Sequence, residues 1–150
     1  MNKLAAILLA VILITALLSG CNEDNELSLS AGHDHIQFVS LTKKDGYSKA
    51  FEQPDQISVF INAIEKADRL TEVLYPITPN RTPDEDYFLQ VHYDPAVEHE
   101  AIESYFVWVD DENREMKIAP IQEGKTYLYK LNSETAQEVG KLLNLSWPNS

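Results

Sequence analysis

Ser104-Tyr105-Phe106-Val107-Trp108-Val109, followed at once by Asp110-Asp111-Glu112-Asn113, decides how this chain is read. Six consecutive β-branched, aromatic or hydroxyl residues are the strongest strand signal in the sequence, and the polar tetrad after them reads as a hairpin turn. Glu115 to Ile121 then supplies the returning strand. Glu123-Gly124 turns the chain again into Thr126-Tyr127-Leu128-Tyr129-Lys130-Leu131, which gives a third strand. Connections this short, 110–114 and 122–125, join antiparallel neighbours. Beyond them, Asn132 or Ser133 caps a helix whose apolar stripe is Ala136, Val139, Leu142 and Leu143. Gly140 weakens that helix by up to about 1 kcal/mol relative to alanine. Residues 147–150, starting at Trp147-Pro148, read as a polar tail.

Working back from Ser104, the polar segment Ala96 to Glu103 separates it from Tyr87-Phe88-Leu89-Gln90-Val91-His92-Tyr93, a strand ended by Asp94-Pro95. Before that strand, Tyr75 to Asp86 holds Pro76, Pro79 and Pro83. Proline lacks an amide donor and disfavours helix in the residue before it, so this stretch is expected to be a loop. Ile57, Phe60, Ile61, Ile64 and Ala67 recur at helical spacing, which predicts a helix over 55–69 with Asp55 as its N-cap. Residues 36–43 predict a strand, Asp45-Gly46 a turn, and 48–52 a second short extended piece. The order argues for an α+β domain: a largely antiparallel sheet of about five or six strands with two helices packed on one face. Strand alternation puts Tyr105, Val107 and Val109 opposite Phe106 and Trp108. It likewise puts Tyr87, Leu89, Val91 and Tyr93 opposite Phe88, Gln90 and His92. One set should face the helices and the other lie partly open.

The N-terminus has a different character. Lys3 precedes an almost wholly apolar run, Leu4 to Leu18, which as a helix spans roughly 22 Å against a hydrocarbon core of about 30 Å. That is short for a membrane span and matches the apolar region of a secretory signal. Leu18-Ser19-Gly20-Cys21 resembles the lipobox of bacterial lipoproteins. The resemblance implies a diacylglyceryl group on the Cys21 sulfur, palmitate-like acyl chains, cleavage before Cys21, and a lipid-anchored address on the extracytoplasmic face of the cell membrane. Two acyl chains hold a protein on a bilayer where one is marginal. The expected organisation is a signal peptide over 1–20, a lipidated cysteine and acidic tether over 21–34, one α+β domain over 35–146, and the tail. The tether is expected to lift the domain off the bilayer. Cys21 is the sole cysteine, so the exported domain has no disulfide and depends on packing. The formal charge is −12, and loss of residues 1–20 removes one base, Lys3, and no acid. Scattered bases among more numerous acids exclude a nucleic-acid footprint.

The succession of Phe51, a helix carrying Phe60, Ala63, Ile64 and Ala67, then Asp86-Tyr87, Tyr105 to Trp108, and Tyr127-Leu128-Tyr129 before a last helix resembles the YhfM-like domain of small lipoproteins from Gram-positive bacteria, over about residues 36–143. That resemblance implies a fold and an address and supplies no catalytic residues. The residues themselves offer little chemistry. His33 and His35, at i and i+2, could chelate copper or zinc with His92 or His99 completing a site, which makes a metal-binding lipoprotein the alternative. Asp110 to Asn113 lacks the alternating ligands and glycine of an EF-hand loop. Acid pairs such as Glu98 and Glu100, or Asp84 and Asp86, are expected in so acidic a chain without any role. There is no Gly-x-Ser-x-Gly elbow, and the only thiol is spent on lipid, so a cell-envelope hydrolase is the weakest reading. The expectation is a monomeric binding or accessory module without catalysis or cofactor, held at the membrane and meeting a protein or cell-envelope partner through Phe106 and Trp108 or through the Tyr set.

Overall fold

The computed structural model describes residues 27–29, 32–74, 84–96 and 102–147. The expected signal peptide over 1–20, Cys21, and positions 75–83 and 97–101 lie outside the described residues. Seven strands form one sheet: β1 (Ile36–Lys43), β2 (Ser48–Phe51), β3 (Asp68–Leu74), β4 (Tyr87–Tyr93), β5 (Ile102–Asp110), β6 (Glu115–Pro120) and β7 (Thr126–Lys130). Their order across the sheet is β2-β1-β4-β5-β6-β7-β3, and every pair of neighbours is antiparallel. Two helices, α1 (Pro54–Glu65) and α2 (Ser133–Leu142), complete the α+β fold.

The meander β4 to β7 follows from its turns. Asp110 Oδ1 accepts from the Asn113 amide at 3.0 Å, and Arg114 takes a positive φ of 54° to bring the chain back into β6. Gly124, at φ 89°, closes the β6–β7 turn in a region where a side chain would be strained. Cross-strand register fixes the faces, because paired residues project to the same side. Tyr87 pairs with Val107, Leu89 with Tyr105, and Val107 with Ile118. This Tyr-bearing face is the one under the helices. The most deeply buried large side chains are Tyr93, Phe51, Phe60, Ile64, Met116, Val39 and Val91. Phe51 meets Phe60 of α1 with ring centroids 4.9 Å apart. The helices also pack on each other, burying Ile57, Phe60, Ile61, Ala63 and Ile64 of α1 and Ala136, Val139 and Gly140 of α2.

The helix α1 differs from its expected span at both ends. It starts at Pro54, with Gln53 as N-cap and Asp55 in the first turn. Proline fits the first helical position because its missing N–H has no partner there anyway. The helix stops at Glu65 instead of 69, because Asp68–Leu74 becomes a strand that pairs with β7 at the sheet edge. That seventh strand is one more than the sequence indicates. It places the two ends of the α1 connection on opposite edges, β2 and β3, roughly 29 Å apart for six strand spacings. The helix α1 is about 18 Å long and packs on β1 and on α2.

Two further segments depart from expectation. Leu27, in the stretch read as tether, is 8 % exposed and belongs to the core, with Leu29 packed against it. Trp147, read as tail, is half-buried. Its ring lies over Gly140, and its Nε1 donates to Asp111 Oδ1 at 2.8 Å. A Cβ on Gly140 would come within 3.1 Å of that ring, so the glycine is the seat of the tryptophan as well as a weak point of the helix. Asn132 caps α2 as expected, its Oδ1 accepting from the Thr135 amide at 2.9 Å.

Candidate functional site

The face turned away from the helices carries the other side-chain set. Phe38 pairs with His92, Ser40 with Gln90 and Thr42 with Phe88 between β1 and β4. Across β4 and β5, Phe88 pairs with Phe106 and Gln90 with Ser104, and Trp108 pairs with Lys117 of β6. The result is two neighbouring patches. One is aromatic: Phe88 and Phe106 have centroids 6.2 Å apart at 55°, and Phe106 and Trp108 are 6.1 Å apart at 56°. These tilted arrangements suit the ring quadrupoles. The other is polar, with His92 stacked on Phe38 at 4.0 Å while its Nε2 lies 3.0 Å from Ser40 Oγ. Gln90 Nε2 donates to Ser104 Oγ at 3.4 Å.

Phe106 and Trp108 are half-buried, between the two alternatives of a free docking ring and ordinary core. On the same face Ala119 and Leu128 are buried, with Lys117 and Lys130 half-buried beside them. Partial burial lowers the His92 pKa, because the charged imidazolium loses hydration. The Ser40–His92 contact is a hydroxyl–imidazole pair that sequence reading missed; only the three-dimensional register of β1 on β4 brings it together. The backbone of β1 is engaged in ladders with both β2 and β4.

A cleft of about 300 Å³ opens at one end of the sheet, lined by Leu27, Glu103, Tyr105, Pro120, Ile121 and Tyr127 among others. Tyr105 donates to Glu103 Oε2 at 2.8 Å, and burial followed by the Glu103 charge pushes the phenol far above its ordinary pKa. Tyr105 is therefore a fixed neutral donor.

His33 and His35 form a 3₁₀ turn, His33–His35, ahead of β1. The Nε2 of His33 lies 2.6 Å from Glu65 Oε1 at the end of α1, so this imidazole is tied to the helix layer. His92 is on the other face of the sheet, and His99 lies outside the described residues. Among the described residues there is no group of three or more His, Cys, Asp or Glu side chains placed to hold a metal ion. Asp84 pairs with Lys44, and Asp86 accepts from the Val109 amide at 2.7 Å, so these acids knit β4 to its surroundings.

Fold and surface together define a class: a seven-stranded antiparallel sheet with one helix-covered face and one half-open aromatic and polar face. Comparison with protein-family models, curated proteins and solved structures finds no match.

Proposed function

We propose that this protein is a lipid-anchored extracytoplasmic lipoprotein whose folded part is a non-catalytic binding or accessory module, akin to the YhfM-like domain. The observation that carries the reading is Leu18-Ser19-Gly20-Cys21 at the end of an apolar run, with Cys21 the only cysteine in the chain. The thiol is the one side chain in that stretch soft enough to form the thioether, and small residues before it let the peptidase approach. Among the described residues no helix is long and apolar enough to cross a membrane. The half-open face, with Phe106, Trp108, Gln90 and Ser104, supplies the surface a cell-envelope or protein partner would meet.

The deciding experiment is mass spectrometry of the mature N-terminus beside fractionation of a Cys21→Ser chain. The expected product begins at Cys21 and carries acyl mass, and the serine variant leaves the membrane fraction with its signal uncut. An equally membrane-bound, unaltered serine product sinks the anchor. For the module, crosslinking from intact cells should recover a partner that Phe106→Asp releases; turnover of an envelope substrate would replace the binding reading with an enzymatic one.

A further inference from the structure

The burial of Leu27 constrains more than the core. Leu27 seats beside Tyr105, Pro120, Ile121 and Tyr127, at the end of the sheet where β5 begins and β6 finishes. Five residues, Asn22 to Glu26, separate it from Cys21. Six Cα steps reach at most roughly 22 Å however the chain runs, whereas a domain of this size is about 35 Å across. Whatever surface holds Cys21 therefore holds this end of the sheet within roughly 22 Å.

The exposed apolar side chains are distributed to match. Ile102 is 47 % exposed and Ile121 37 % exposed, and both lie at the Leu27 end, where the Ile121 amide donates to Ser104 O at 2.8 Å. Tyr47, 63 % exposed, sits in the β1–β2 turn. Lys43, just before that turn, pairs with Tyr87, while Ile102 pairs with His92, so Tyr47 and Ile102 belong to opposite ends of β4. The turn that carries Ile121 holds one acid and one base, Glu123 and Lys125, and is locally neutral in a chain of formal charge −12. Ile121 on that neutral turn and Ile102 at the start of the neighbouring strand put two exposed apolar side chains at one end of the sheet, which suits an uncharged lipid surface.

We infer that the domain docks with Ile102 and Ile121 against the outer lipid surface, its β1–β2 turn pointing away. This inference rests on the anchor at Cys21 proposed above. The test uses the whole protein purified from membranes, in which lipid consumes the native thiol. Single cysteines, Ile102→Cys, Ile121→Cys and Tyr47→Cys, are labelled with an environment-sensitive fluorophore and reconstituted into phosphatidylcholine vesicles containing doxyl-labelled phosphatidylcholine. Labels at 102 and 121 should be quenched at least about threefold more than the label at 47, as interfacial burial requires. Equal quenching at all three positions on a chain whose N-terminal peptide carries acyl mass overturns the docking alone. An N-terminal peptide without acyl mass overturns the anchor, and the docking with it.

Discussion

Gly140→Ala sets two effects of known size against each other. In an open helix the change would stabilise by up to about 1 kcal/mol, because glycine has more backbone freedom to lose. Here the new Cβ meets Trp147 Cε3 at 3.1 Å and Cζ3 at 3.3 Å. The ring must shift by a few tenths of an ångström, and its Nε1 is tied to Asp111 Oδ1 at 2.8 Å. Overpacking of this kind costs about 1–3 kcal/mol, and a strained or lost hydrogen bond about 1 kcal/mol more. The clash should win, leaving Gly140→Ala about 1–2 kcal/mol less stable than the parent, or roughly 3–8 °C in Tm for a chain of this length. With Trp147→Ala the obstacle is gone, and the same substitution should stabilise by up to about 1 kcal/mol. The assay is urea unfolding of the chain from Asn22 onward, followed by far-ultraviolet circular dichroism so that loss of the tryptophan does not affect the signal. The reasoning is refuted if Gly140→Ala stabilises both backgrounds alike.

Three other outcomes follow from the structure. Asn132→Ala should cost about 1 kcal/mol by leaving the Thr135 amide without its cap, with Asn132→Ser recovering most of it; thermal unfolding reads both. Leu27→Ala should cost about 2 kcal/mol or more, as for a core leucine; the urea midpoint reads it, and no measurable change would return the residue to the tether. His92 has a folded pKa below its ordinary value of 6.5, so the unfolded chain takes up its proton first as pH falls. Its contribution to stability is therefore complete above about pH 6.5 and is lost as pH drops toward the folded value. His92→Gln should flatten the part of the stability profile between pH 7 and 5 that belongs to this group, and a profile unchanged by the substitution argues against the burial of the ring.

Much of the fold is written locally. The strand 87–93, the Asp110–Asn113 turn and the Asn132 cap are short-range signals, and each is where the residue pattern puts it. The strand β3 was not legible, because Ala67 extends the helical spacing of α1 and Asp68-Arg69-Leu70-Thr71-Glu72 has the polar character of an edge. It becomes a strand through its ladder with β7, more than fifty residues away. Leu27 and Trp147 were hidden for a related reason: a lone apolar residue between polar neighbours has no period, and its burial depends on what the distant chain offers it. The candidate face divides similarly. Alternation sorted Phe106 and Trp108 from the Tyr set, but the Ser40–His92 contact needed the pairing of strands on either side of α1. The Glu65 contact that occupies His33 was equally invisible from spacing.

The two margins of the sheet have a consequence for a chain held on a lipid surface, as proposed for this one. The strand β2 is only four residues long and presents Lys49, while β3 breaks register between Arg69 and Val73 and carries Asp68, Arg69 and Glu72. Lipid-held copies would meet repeatedly in one plane, with far fewer ways to miss one another than in free solution. A long, flat, uncharged border would then zip neighbouring molecules into ribbons. A stub on one flank and a kinked, charged strand on the other give such encounters little to grip, so crowding in two dimensions need not become polymerisation.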